Sequence, residues 1–174
     1  MMKRNYNTEI TDFIGKVFND INFKYQFDEE RGIYRFVMSL DGPITNINCA
    51  MVVRNEEILT YGISPLCADN KKAEMMAKMA EFITRANYSL KNGCFEMDYR
   101  DGELRYRIYT DCDGVMPSEM VILDCIHVCA TTFKRYAPGI VSMIFTDKSP
   151  ADAIKECEDD REQQLAQLAQ LIDR

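Results

Sequence analysis

Tryptophan is absent from this 174-residue sequence, and histidine occurs once, at His127. A metal centre built on several imidazoles is therefore excluded. Glycine is scarce, with eight residues, and neither GxGxxG nor GxxxxGK[ST] occurs. Both familiar nucleotide cradles are missing. No apolar run approaches the ~20 residues of a membrane-spanning helix. Residues 1–7 lack the apolar stretch of a signal peptide. No CxxC pair exists among the seven cysteines, which sit at 49, 67, 94, 112, 125, 129 and 157. An odd count at irregular spacing argues against a disulfide framework or a zinc ribbon. Free thiols, mostly buried, in a reducing cytoplasm are the expectation. Positive charge is also in short supply. Lys and Arg number 21 against 28 Asp and Glu, for a net charge of −7. Wrapping nucleic acid or docking on an anionic membrane is not expected of such a chain.

What remains is an ordinary globular mixture, 47% hydrophobic and 28% charged. The length suits one domain. A first helix is expected from Asn7 or Thr8, with Ile10, Phe13, Ile14, Val17 and Phe18 on one face. Alternation through Phe23, Tyr25 and Phe27, a turn at 28–32, and alternation through Tyr34, Phe36, Met38 and Leu40 predict a hairpin. Residues 45–53 read as another strand, and 58–63 as a short further segment. Asp69 is expected to open a second helix, to about residue 88. Its apolar stripe is Met75, Met76, Met79, Phe82, Ile83 and Ala86.

Asp101-Gly102 is a strong hairpin turn signal. A two-residue loop there would set Tyr99 opposite Leu104, Met97 opposite Tyr106 and Phe95 opposite Ile108. On the other face it would pair Arg100 with Glu103, Asp98 with Arg105 and Glu96 with Arg107. Each pair joins opposite charges. One face should meet the core and the other water. A third helix, apolar nearly all round, is expected from Pro117 to about Tyr136, with Pro138-Gly139 ending it. Residues 140–146 are open between helix and strand. Ser149 and Pro150 mark the start of a last helix carrying Ile154, Cys157, Leu165, Leu168, Leu171 and Ile172. The expected fold class is α+β. It has an antiparallel sheet of about five strands with helices on one side, in the order α-β-β-β-α-β-β-α. Residues 1–148 would form the domain, and 149–174 a C-terminal helix extending it.

Three stretches of this pattern, residues 82–87, 93–98 and 102–107, resemble the YbjN-like family, described as bacterial sensory-transduction regulators. Residues 136–139 and 149–154 resemble its later segments. That family is similar in fold to type III secretion chaperones. The resemblance implies an antiparallel sheet with helices on one side and, often, a dimer. It implies no agreed activity and no catalytic residues.

Candidate chemistry is sparse. Cys125 and Cys129 share a helix face while His127 points elsewhere. This reads as two buried cysteines and a partly buried histidine, not a zinc site or a hydrolase. Asp111-Cys112-Asp113-Gly114 lacks the acidic first and last ligands of a calcium loop and reads as a turn. No cofactor is indicated. The candidate partner or dimer surface comprises Met75, Met76 and Met79, an adaptable apolar stripe, and the charged hairpin face of Glu96, Asp98, Arg105 and Arg107. The functional expectation is a non-enzymatic protein-binding module, chaperone-like or regulatory, acting as a homodimer with a protein partner. The alternative is a small-ligand sensor or an enzyme with a pocket that no motif marks.

Overall fold

The computed structural model describes residues 5–159. The fold is α+β. Helix α1 (Thr8–Asp20) comes first, then strands β1 (Gln26–Asp28), β2 (Ile33–Ser39), β3 (Asn46–Val53) and β4 (Glu57–Ile63). Helix α2 (Ala73–Ser89), strands β5 (Cys94–Met97) and β6 (Leu104–Asp111), and helix α3 (Glu119–Phe145) follow. A further helix, α4, spans 150–159. The strands form one antiparallel sheet in the order β1-β2-β3-β4-β6-β5.

The sheet has six strands where about five were expected. The additional one is β4, whose sequence hides its alternation. Ile58, Thr60 and Gly62 are buried, but Leu59, Tyr61 and Ile63 between them are apolar too. Gly62 lets α3 approach, since a Cβ there would lie 3.2 Å from the Phe133 ring.

Asn7 caps α1 as expected, its side chain accepting from the backbone N–H of Glu9 and Ile10. Asp69 does not open α2. Its carboxylate instead accepts from Lys71 N–H at 3.0 Å, and the helix begins at Ala73. A short Asp side chain can satisfy a local turn as readily as a helix end. Pro138-Gly139 does not end α3, which runs 27 residues through Pro138. Residues 140–145 are therefore helical. Proline forfeits one helical hydrogen bond, at a cost of ~3 kcal/mol. Burial of Tyr136, Ala137, Gly139, Ile140 and Met143 around it offsets that cost. Gly139 is needed because a Cβ there would lie 2.3 Å from the Phe82 ring of α2.

The core fills the space between one sheet face and the helices. Phe36, Cys49, Gly62, Tyr106 and Phe95 form a row across five strands. Above it lie Phe82, Phe133, Tyr136 and Ile140, all fully buried. Phe18 of α1 packs on Phe23, Tyr25, Tyr34 and Phe36. Ser149 caps α4, accepting from Asp152 N–H at 3.1 Å. Ala153, Ile154 and Cys157 are buried, so 149–159 packs onto the domain. Leu165, Leu168, Leu171 and Ile172 lie outside the described residues.

Candidate functional site

Helices cover one face of the sheet. The other face is open, and strand alternation decides what it displays. One row runs Ile33, Val52, Leu59 and Tyr109. The next runs Arg35, Ala50, Tyr61, Arg107 and Cys94. A third runs Val37, Asn48, Ile63, Arg105 and Glu96. Val37 and Tyr109 are 59% and 51% exposed. Beyond Leu59 and Tyr109, Glu57 stands directly opposite Asp111. Along β4 and β6 the face thus passes from two arginines, through tyrosines and aliphatics, to two carboxylates.

The arginine end is built on the β5–β6 hairpin. Its register is shifted by two residues from the expected one. Met97 faces Leu104, Glu96 faces Arg105, Phe95 faces Tyr106 and Cys94 faces Arg107. An even shift keeps every side chain on its expected face. The loop is longer than two residues because Asp98 closes it twice. Its carbonyl accepts from Gly102 N–H at 2.7 Å, and its own N–H donates to Glu103 O at 3.0 Å.

This register changes the charge pairing. Glu96 accepts from Arg107 Nε at 2.6 Å and from Arg105 Nε at 2.8 Å. Burial raises the Glu96 pKa, but the bonds from Arg107 and Arg105 outweigh it, and the net shift is downward. The Arg105 guanidinium also lies over the Tyr61 ring, 4.8 Å from its centroid. Asp98 does not pair with Arg105. It binds the Arg100 side chain and N–H in the loop, which holds its pKa at about 2. Of the expected charged surface, then, Glu96, Arg105 and Arg107 form one cluster and Asp98 stands outside it.

The methionine stripe is not a surface. Met79 is fully buried and Met76 nearly so, both facing the protein's own core. Helical spacing cannot tell a docking stripe from a core stripe. Met75 alone is half-buried. Its Sδ accepts from Asp69 N–H, and it lines a shallow cleft of about 480 Å³ with Lys72, Lys78 and Phe145.

Cys125 and Cys129 are buried, whereas His127 is exposed, not partly buried as expected. It sits on the outer side of α3. Asp111 accepts from Asp113 N–H in the turn before α3. Among the described residues no three His, Cys, Asp or Glu are grouped to hold a metal ion. No helix among them is long and apolar enough to cross a membrane.

None of the seven cysteines forms a disulfide, and only Cys67 is exposed. Burial pushes Cys49 up to about 12 and Cys129 higher still. A disulfide-exchange reagent at neutral pH should therefore label Cys67 first and the half-buried Cys94 more slowly. Cys49, Cys112, Cys125, Cys129 and Cys157 should react only on unfolding. Fast labelling of three or more thiols in the native protein would contradict the packing described.

Sequence reasoning found the hairpin but missed Val52, Leu59, Tyr61, Tyr109, Glu57 and Asp111. Their signal was present, as alternate positions of 48–52, 57–63 and 105–111. It needed the β4–β6 pairing, across a helix and another strand, to become a face. No family model matches the chain, and no curated protein matches its sequence.

Proposed function

We propose that this chain is a non-enzymatic protein-binding module that works as a homodimer, the open sheet faces of two copies meeting. The observation that carries this reading is the layout of charge along β4 and β6. Arg105 and Arg107, which share the single carboxylate of Glu96, leave one end of the face net positive, and Glu57 and Asp111 stand at the other. A two-fold axis lying between the faces and across the strands reverses one copy relative to the other. It sets each arginine end over a carboxylate end, the self-complementarity that an isologous interface requires. The middle of the face is tyrosine and aliphatic, as interface centres are. Four strands of seven or eight residues give a plan area of roughly 500 Å², before side chains roughen it. A standard interface buries about 800 Å² per partner.

The resemblance to the YbjN-like family, itself similar in fold to type III secretion chaperones, supports the same reading. A chaperone-like or regulatory role and a cytoplasmic location fit a soluble binding dimer with free thiols. Native mass spectrometry of the untreated protein tests the proposal. A dimer without a bound small molecule is expected. A strict monomer at micromolar concentration would refute it.

A further inference from the structure

A second feature, away from the open face, concerns cations. The protein carries a net charge of −7. Even so, one cleft of about 630 Å³ gathers Lys91, Lys134 and Arg135 in its lining. Its volume falls in the range of small-ligand sites. The cleft lies where the end of α2, the loop before β5, the middle of α3 and α4 come together. Ser89, Asn92 and Thr131 add polar groups to its wall.

Arg135 is the anchor. Its side chain is only 19% exposed. The guanidinium rests over the Tyr136 ring at 4.8 Å, which fixes its plane. One terminal nitrogen reaches Glu158 at 3.5 Å, a long contact. Glu158 is shared with the Ser89 hydroxyl at 3.0 Å. The Arg135 Nε is buried and has no hydrogen-bond partner. That atom is out of a ligand's reach, so a ligand in the cleft would meet the part of the guanidinium that the 19% exposure leaves open. Among the described residues, the side chains of Lys91 and Asn92 make no hydrogen bond or ion pair. Lys134 meets Asp41 at 3.1 Å, but Asp41 is 94% exposed and holds it loosely.

We infer that this cleft binds the phosphate group of a small molecule, with Arg135 and Lys91 as the principal donors and Lys134 completing the charge. A planar guanidinium suits a phosphate because two of its N–H groups can point at two oxygens. Lys91 adds a mobile point charge from the loop, and Asn92 an amide donor. The Thr131 hydroxyl donates to His127 O, so it can only accept and takes no part. The site does not depend on the open sheet face or on dimerisation.

The test is a calorimetric titration of the full-length protein with inorganic phosphate at constant ionic strength, with sodium chloride as the control. A single saturable site per chain is expected. Lys91→Gln changes an exposed loop residue and should weaken binding on the order of tenfold. Arg135→Gln should weaken it at least as much. Lys78→Gln, in the cleft beside Met75, should leave it unchanged. If Arg135→Gln fails to fold, Lys91→Gln alone decides. Heats no larger than those of the chloride control would overturn the inference, and so would equal affinity in the wild type and Lys91→Gln.

Discussion

Replacing Gly102 with alanine is expected to cost about 3 kcal/mol or more of stability, although the change adds one methyl group. Two effects combine. Gly102 has φ +77°, a conformation that side chains disfavour. A Cβ there would also lie 1.9 Å from the Ala68 carbonyl oxygen. That obstacle is backbone, and it cannot rotate aside. Ala68 N–H donates to Gly102 O at 3.0 Å, and Ser64 N–H donates to Leu104 O at 2.9 Å, so the segment is tied to the hairpin. Gly114 supplies the control. It has φ +67°, but nothing stands within 4 Å of its would-be Cβ. Gly114→Ala should lose only about 1 kcal/mol. Urea denaturation of both variants measures the difference. Equal losses would mean that the contact between 64–68 and the hairpin is not made.

Truncating Phe95 to alanine should be as damaging, at about 3–5 kcal/mol. Phe95 joins an edge strand to the helical layer. Its ring lies edge-on to Tyr106, Phe133 and Tyr136, with centroids 5.0, 5.3 and 5.7 Å away. Such pairs contribute beyond simple burial. The backbone of β5 would stay held. Asn87, near the end of α2, accepts from Phe95 N–H at 2.7 Å and donates to Phe95 O at 2.9 Å. The variant should thus leave a cavity among three rings and keep the strand paired. Tyr99→Ala removes a ring that is 64% exposed and should change stability by less than about 0.5 kcal/mol. A small loss for Phe95→Ala in thermal unfolding would place that ring outside the core.

These two sites show what the sequence made legible. Phe95 reads as a core position from alternation alone, and Asp101-Gly102 reads as a turn. The register of that turn does not, because it follows from the double closure by Asp98 and from the chain passing at Ala68. The first is settled by backbone bonds inside the loop that the dipeptide does not specify, and the second is a fact of tertiary contact. Pro138 misleads for a similar reason. A local rule ends the helix there, yet the burial of Tyr136, Ala137 and Ile140 carries it onward. The open face was half visible. Glu96, Arg105 and Arg107 stand out through the hairpin, but the carboxylate end at Glu57 and Asp111 depends on pairing between β4 and β6, distant in sequence. The phosphate cleft has no local signature, since Lys91 and Arg135 are brought together only by the packing of α2, α3 and α4.

The account rests most heavily on two open faces meeting in opposite directions. Arg107→Glu and Asp111→Arg test it by mixing. Alone, Arg107→Glu would set carboxylate against carboxylate at both ends of its own dimer. Alone, Asp111→Arg would set arginine against arginine. Together, one chain of each restores opposite charges at both ends. Sedimentation velocity of the separate variants and of their equimolar mixture is the measurement. The account predicts two weakened or monomeric variants and a mixture that recovers the dimer. Dimers of undiminished strength in both separate variants, or a mixture no more associated than its parts, would contradict it.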